Sequence, residues 1–255
     1  MPELTDVLLL CLAAGFAGWV DAVSGGGGLV QLPALLLMLP GASPAAVLAT
    51  NKLSSVCGTA VAAATYARRV KPDLRTALPM AGFALAGAAC GALAASVLTR
   101  EVFTPVVLVL LVAVAVFTAV RPDFGQLQAL RWSGRRHHVA AGIGGAAIGF
   151  YDGIFGPGTG AFLVVLFVAL LGYSLIQASA KGRIVNLATN LGALLVFIPQ
   201  GAPLWRLGLL MGACNVAGGY LGAHTAINRG SRFVRVVFLA VVGALILRLG
   251  YDVVT

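Results

Sequence analysis

Long apolar runs dominate the chain, and short stretches with charges, proline or glycine separate them. We predict ten helical segments, near residues 5–23, 29–40, 44–67, 76–98, 102–120, 138–153, 160–172, 175–198, 204–227 and 232–252. Six of them are long enough to cross a hydrocarbon core about 30 Å thick, namely 44–67, 76–98, 102–120, 175–198, 204–227 and 232–252. This pattern predicts an all-α polytopic membrane protein.

Two of the segments are too short to cross such a core as straight helices. At about 1.5 Å per residue, 29–40 and 160–172 span about 18–20 Å. Each follows a segment of intermediate length, 5–23 or 138–153, that ends in a glycine-rich break. We therefore expect two glycine-broken, re-entrant-like helix pairs, with full crossings as the alternative.

Composition supports a membrane environment. Hydrophobic residues make up 60% of the 255-residue chain and charged residues only 10%, whereas soluble domains carry about 25% charge. The four cysteines lie far apart within apolar segments, which predicts neither a disulfide framework nor a metal site. Glu3 and Asp6 stand where a signal peptide carries positive charge, so we expect no cleaved signal.

The formal charge of +9 is concentrated in short loops between the apolar runs. Arginine and lysine cluster in the 68–75, 121–137 and 228–235 loops. The positive-inside rule puts these loops in the cytoplasm, so both termini are predicted to be external to the cell (plasma or inner) membrane. This distribution explains the positive charge without a nucleic-acid partner.

The sequence also contains an internal repeat. GWVDAVSGGGG at 18–28 is similar to GFYDGIFGPGT at 149–159, at an offset of 131 positions. Further along, ATNK at 49–52 is similar to ASAK at 178–181, at an offset of 129. We interpreted the difference as a loop of unequal length. By this alignment, Lys52 corresponds to Lys181.

The repeat mates 44–67 and 175–198 are predicted to cross the membrane in opposite directions. Inverted repeats of this kind are typical of secondary transporters. We therefore predict a first inverted repeat over 1–120, a basic cytoplasmic linker over 121–137 and a second repeat over 138–255. Each repeat comprises five helical segments: a glycine-broken pair followed by three long transmembrane helices.

The two glycine-rich breaks are candidate anion sites. A new helix is predicted to begin after each break, at Leu29 and Ala161, and a helix N-terminus favours an anion through its unpaired N–H groups. The alternative is a tight turn needed only for packing. The predicted substrate-binding residues here are Ser24, Gly25, Gly26, Gly27, Gly28, Gly156, Gly158, Thr159 and Gly160.

Cations inside apolar segments form a second candidate group. Lys52 and Lys181 lie within long helices, where a charge costs about 2.5–3.5 kcal/mol, and Arg183 is close to Lys181. We predict that all three bind the anion, with snorkelling to the interface as the alternative for the lysines. Hydrogen-bonding neighbours complete this site or hold helices together: Thr50, Asn51, Ser54, Ser55, Ser179, Asn186, Thr189 and Asn190.

Two acidic residues end the first helices of the pairs. Asp21 and Asp152 are candidates for ion pairs with the lysines, or for binding a coupling proton or Na⁺. The third possibility is that each aspartate forms an ion pair with a purely structural role. We predict no resident cofactor or metal.

Several stretches resemble the TauE/SafE family of sulfite exporters and sulfonate permeases. They are WVDAVSGGGG, LPALLL, SPAAVLATNKLSSVCGTA, GFYDGIFGPGTGAFLVVLF and ASAKGRIVNLATN. The resemblance covers nearly the whole chain. It implies secondary transport of sulfite, a sulfonate or a related small oxyanion.

These observations predict an alternating-access transporter, an exporter, that carries a small anion through a mid-membrane site. The alternatives are an anion channel and a permease for small organic carboxylates. The segments contain no Ser/His/Asp set, no HExxH motif and no Cys/His cluster, so we predict no enzymatic activity. The expected partners are the anion, the bilayer and H⁺ or Na⁺, and homo-oligomerisation stays open.

Overall fold

The computed structural model describes residues 4–95 and 130–254, and these residues form helices and connecting turns without β-strands. The helices are α1 (Leu4–Ser24), α2 (Gly28–Met38), α3 (Pro44–Val70), α4 (Leu74–Ala94), α5 (Gly134–Ile154), α6 (Thr159–Val165, continued by a π-helical turn Leu166–Leu170), α7 (Leu175–Phe197) and α8 (Trp205–Val254). The predicted all-helical class is confirmed for this part of the chain. The predicted segment 102–120 lies outside it.

The predicted boundaries agree closely with the observed helices, with one difference. The segments 204–227 and 232–252 lie in one continuous helical range, α8, whose only non-helical residue is Gly230 (φ 71°, ψ −172°). The basic stretch between the two segments is therefore mostly helical. It changes direction at this glycine, since a positive φ costs glycine little.

Glycine-rich turns separate α1 from α2 and α5 from α6, as predicted. Gly25 has φ 86°, and Gly156 and Gly158 have φ 87° and 81°. The first helix of each pair, α1 or α5, has 21 residues, a length of about 31 Å. Each pair therefore combines one long helix with one short helix.

The internal repeat is also visible in the helix boundaries. Corresponding helices begin 131 positions apart: α2 and α6 at Gly28 and Thr159, α3 and α7 at Pro44 and Leu175, α4 and α8 at Leu74 and Trp205. Ser43 and Ser174 cap α3 and α7 in the same way, because each side chain accepts the N–H of the residue three positions later. A single offset therefore relates all these helix starts.

The helices of the two halves pack on each other reciprocally. Helix α1 packs on α8, and its counterpart α5 packs on α4. Helix α3 also packs on α8, and its counterpart α7 packs on α4. Each half therefore offers the same surfaces to the other, as in a two-fold interface.

Small residues bring these packed helices close together. A Cβ atom at Gly87 would collide with the Ala146 carbonyl oxygen, and one at Gly218 would collide with the Gly15 carbonyl oxygen. The two contacts are repeat counterparts, since both residue pairs are related by 131 positions. Such close backbone approach is typical of helices that pack within membranes.

The outward faces of the helices are strongly apolar. Large exposed side chains include Leu12, Phe16, Phe83, Ile143 and Leu195. The charged side chains of Lys52, Asp152, Lys181 and Arg183 are instead buried in the interior. In the described ranges, α1 and α4 combine the length and hydropathy of a membrane span. Helices α3 and α7 are long enough, but polar and charged residues interrupt their apolar sequence.

The glycine contact predicts a difference between two substitutions in α4. Gly87→Ala places a methyl group against the Ala146 carbonyl, so we expect a loss of about 1–3 kcal/mol in the free energy of unfolding. Gly82→Ala is the matched control because its Cβ meets no atom within 4 Å. Thermal unfolding in detergent measures both, and equal stability of the two variants would contradict the packing argument.

Candidate functional site

Residues from both halves line one cavity beside the two glycine-rich turns. Its polar lining comprises Asp21, Asn51, Lys52, Ser55, Asp152, Thr159, Asn186 and Asn190, and its glycine lining comprises Gly25, Gly28, Gly156, Gly158 and Gly160. The cavity is narrow, with about 20 Å³ for the centres of water-sized molecules.

A buried ion pair forms one wall of this cavity. The Lys52 Nζ lies 2.6 Å from the Asp152 Oδ2, and both side chains are 2% exposed. The Thr159 hydroxyl donates to the other carboxylate oxygen, Oδ1, at 2.6 Å. The pair joins α3 of the first half to α5 of the second.

A second ion pair joins the halves with the charges exchanged, because here the cation belongs to the second half and the carboxylate to the first. Arg183 on α7 is fully buried, and its Nη1 lies 2.8 Å from the Asp21 Oδ2 on α1. The same nitrogen donates to the Asp21 backbone carbonyl. Among the described residues, the Arg183 Nε and Nη2 have no hydrogen-bond partner. Arg183 itself does not line the cavity, but it lies directly behind Gly160, where a Cβ would come within 2.7 Å of Nη2.

The two ion pairs identify Arg183 as the positional counterpart of Lys52. The carboxylates Asp21 and Asp152 are 131 positions apart, and so are the cations Lys52 and Arg183. The cation of each half binds the carboxylate of the other. This arrangement differs from our alignment of Lys52 with Lys181 at an offset of 129. The predicted pairing of the aspartates with lysines holds for Lys52 only.

Lys181 lies away from the cavity and holds a loop. Its ammonium donates to the Asp73 backbone carbonyl at 2.7 Å, lies 3.5 Å from the Asp73 carboxylate and stacks over the Tyr173 ring. Thr50, 131 positions earlier, makes the equivalent contact by accepting the Leu204 N–H at 3.0 Å. Both residues anchor the chain just before the fourth helix of the opposite half, α4 or α8.

The glycine-rich turns touch each other, and the contact uses backbone groups that we predicted to face the anion. The Ala161 N–H donates to the Gly25 carbonyl at 3.2 Å, and the Leu29 N–H donates to the Gly26 carbonyl at 3.1 Å. These two N–H groups are therefore engaged within the protein. Ser24, Gly26, Gly27 and Ser179 do not line the cavity either, and the Ser24 hydroxyl donates to the Val20 carbonyl instead.

Side-chain amides contribute much of the remaining polar lining. Asn51 is 3% exposed, and its Oδ1 has no hydrogen-bond partner among the described residues. Asn190 also lines the cavity, and its side-chain NH2 donates to the Asn186 carbonyl at 2.9 Å. Ser55 and Asn186, again 131 positions apart, both line the cavity. The amide oxygens can accept hydrogen bonds from a polar occupant, whereas the amide NH2 groups and the Ser55 hydroxyl can donate to one.

We did not predict from the sequence the buried amide network that lies behind the first glycine-rich turn. Gln31 donates to the Asn51 carbonyl, and its Oε1 accepts hydrogen bonds from Asn215 at 2.9 Å and Ser54 at 3.4 Å. The network ties α2 to α3 and α8, so it positions the turn that precedes α2. Gln31 is the only side chain with hydrogen-bonding groups in the apolar segment 29–40, and that isolation was the available signal.

Removal of one partner from the Lys52–Asp152 pair tests its structural contribution. We expect Lys52→Met to lower the free energy of unfolding by about 3–5 kcal/mol, because it leaves a buried carboxylate without its counter-ion. The double variant Lys52→Met/Asp152→Asn removes both charges and regains most of this loss. Denaturant unfolding in detergent measures both, and equal losses in the two variants would refute the coupling.

The Lys181 anchor predicts a pH dependence. Partial burial acts to raise the pKa of the Asp73 carboxyl, but the hydrogen bond from Thr76 and the charge of Lys181 outweigh it and lower that pKa. Asp73 therefore stabilises the fold above its unfolded pKa of about 3.9, and this contribution is lost as pH falls through the lower folded value. The difference in melting temperature between the wild type and Asp73→Asn should shrink towards zero in acid. A difference that grows in acid would contradict this assignment.

Comparisons with known proteins extend this description to a family. The family model described as sulfite exporter TauE/SafE matches residues 10–249. A probable membrane transporter protein from Sinorhizobium sp. is 38% identical over 99% of this chain and 96% of its own. The probable membrane transporter protein YfcA of Escherichia coli K12 is 33% identical over 98% and 91%. A probable membrane transporter protein of Haemophilus influenzae is 30% identical over 97% and 96%.

No solved structure matches the chain. The family model and the relatives all match nearly the full length of the chain, so the matched range spans the positions of both glycine-rich turns and both ion pairs. The chain belongs to the TauE/SafE sulfite exporter family of membrane transporters.

Proposed function

We propose that this protein is a secondary transporter that exports a small sulfur oxyanion across the cell membrane. The observation that carries the proposal is the cavity in which Lys52 and five amide or hydroxyl side chains converge beside two glycine turns. An ammonium group and hydrogen-bond donors are the groups that bind an oxyanion. Family membership supports sulfite or a sulfonate as the anion.

Alternating access is the mechanism that the repeat favours. The common offset of the helix starts and the reciprocal packing support an inverted repeat, in which the roles of the two halves can be exchanged. The ion pairs and the touching turns lie between the halves. Movement of one half against the other would therefore open the cavity alternately to each side.

The small cavity also favours a carrier over an open channel. The cavity offers only about 20 Å³ for the centres of water-sized molecules, and the Lys52 ammonium in its wall is already in contact with Asp152. Binding would thus require the lining to separate, and passage would require the ion pairs to rearrange. A channel would instead need a continuous wide pore.

The proposed substrate contacts follow the geometry. We assign direct contact to the cavity-lining members of the predicted set: Gly25, Gly28, Asn51, Lys52, Gly156, Gly158, Thr159, Gly160, Asn186 and Asn190. Ser55 joins them. Arg183 positions the second turn from behind, whereas Thr50 and Lys181 hold loops. The predicted orientation, with basic loops in the cytoplasm and external termini, remains part of the proposal.

Flux measurements in proteoliposomes test this function. We expect saturable movement of sulfite, thiosulfate or methanesulfonate, and a loss of at least about tenfold in Lys52→Met/Asp152→Asn, which lacks the cation that binds the anion. Lys71→Met is the matched control, since Lys71 is exposed at the end of α3. The screen includes sulfate and small carboxylates.

Two results would overturn the proposal. One is the absence of flux for every anion in the screen by a folded protein. The other is undiminished flux in the double variant, which would show that the anion does not use Lys52. Single-channel conductance would favour the channel instead.

A further inference from the structure

We propose that the coupling ion is a proton and that Asp152 binds it while the anion takes its place beside Lys52. This inference rests on the proposed transport function and specifies how the same site is driven. It starts from the charges at the cavity. The two cations, Lys52 and Arg183, already face two carboxylates, Asp152 and Asp21.

The charges at the site are therefore balanced before any anion arrives. An anion that binds Lys52 must replace the Asp152 carboxylate as the partner of the ammonium. A carboxylate that is 2% exposed would then be left without its counter-ion, which is strongly unfavourable. A proton on Asp152 removes this difficulty, since it converts the carboxylate to a neutral acid as the anion adds its negative charge.

The contacts of Asp152 favour a proton over Na⁺. One carboxylate oxygen lies against the Lys52 ammonium, and the other accepts the Thr159 hydroxyl. A metal cation would have to approach within a few ångströms of Lys52, where like charges repel. A proton needs no additional ligands and no additional space.

The second ion pair is less suited to this role. Arg183 does not line the cavity and is bound by both the carboxylate and the backbone carbonyl of Asp21. The cavity of this structure therefore does not reach the cation of this pair. We assign Asp21–Arg183 to holding the turns and Asp152–Lys52 to exchange.

Within residues 4–95 and 130–254, few charged or titratable groups neighbour Asp152. Lys52 faces Asp152 from α3, the Asp21–Arg183 pair lies beyond the touching turns, and Tyr151 precedes Asp152 on α5 and donates to the Pro157 carbonyl. In protonation, one proton adds to one carboxylate oxygen of Asp152, and no other bond changes. The proton and the anion then move together, or return together, through the alternating cavity.

Accumulation against a pH gradient tests this coupling. The probe is methanesulfonate, or thiosulfate if methanesulfonate does not move, because neither binds a proton near neutral pH. With the membrane potential held at zero, one-to-one coupling accumulates the probe about tenfold per pH unit on the alkaline side. A Na⁺ gradient should leave the ratio near one.

Asp152→Asn should uncouple the two fluxes. The neutral amide resembles the protonated acid, so we expect anion exchange to continue while the gradient-driven ratio falls from about tenfold to about one. Asp21→Asn is the matched control and should keep the about tenfold ratio, whatever its rate, because the ratio is an equilibrium property.

Ligand-induced stabilisation provides a second measurement that does not need transport. Thiosulfate should raise the wild-type melting temperature more at low pH than at high pH, whereas the shift in Asp152→Asn should not change with pH. An Asp152→Asn variant that keeps tenfold accumulation, or a wild type driven by Na⁺ alone, would overturn the proton assignment. Absence of movement of sulfite and of both probes would overturn the proposed sulfur-oxyanion transport itself, and this inference with it.

Discussion

The crossed pair of buried salt bridges is the constraint on which the rest of this structure depends. Each half of the chain contributes one cation and one carboxylate to these two bridges, and each charge pairs with a residue of the other half. Buried charges without partners are far more costly than paired ones. The two halves must therefore dock in a single register, and that register brings both glycine-rich turns to one place.

The tight packing elsewhere follows the same register. Small residues on α4 and α8 let α5 and α1 approach until backbone meets backbone. Thr50 and Lys181 anchor the entrances of α8 and α4 at equivalent positions, although one is a neutral hydroxyl and the other an ammonium. The repeat thus preserves positions and contacts while the side-chain chemistry differs.

These side-chain differences make the lining of the cavity asymmetric between the two halves. Lys52 lines the cavity and Arg183 does not, Gly28 corresponds to Thr159, and Ser55 corresponds to Asn186. Two halves with similar backbones therefore present unlike groups to an occupant. In the proposed cycle, the exchangeable ion pair is the one at the cavity, and the other pair holds the turns together.

Helix positions were largely predictable because they depend on local sequence. Apolar runs, the serine caps before α3 and α7, and glycine at the breaks all act within a few residues. The predicted loop at 228–235 was too long, because only Gly230 departs from helical geometry there. Asp21, Asp152 and Lys52 could be singled out because a charge in an apolar segment needs a partner.

The sequence alone determined the helical class, the two glycine-broken pairs, the 131-residue repeat around Asp21 and Asp152, and the short list of buried charges. Only the tertiary structure decided which charges pair, because partners such as Arg183 and Asp21 are far apart along the chain and meet through helix packing. For the same reason it moved Lys181 from the site to a loop and revealed the contacts of Gln31 and Asn215. Local patterns fix where a helix begins and ends, whereas the partner of a buried polar group depends on which distant surfaces fit together.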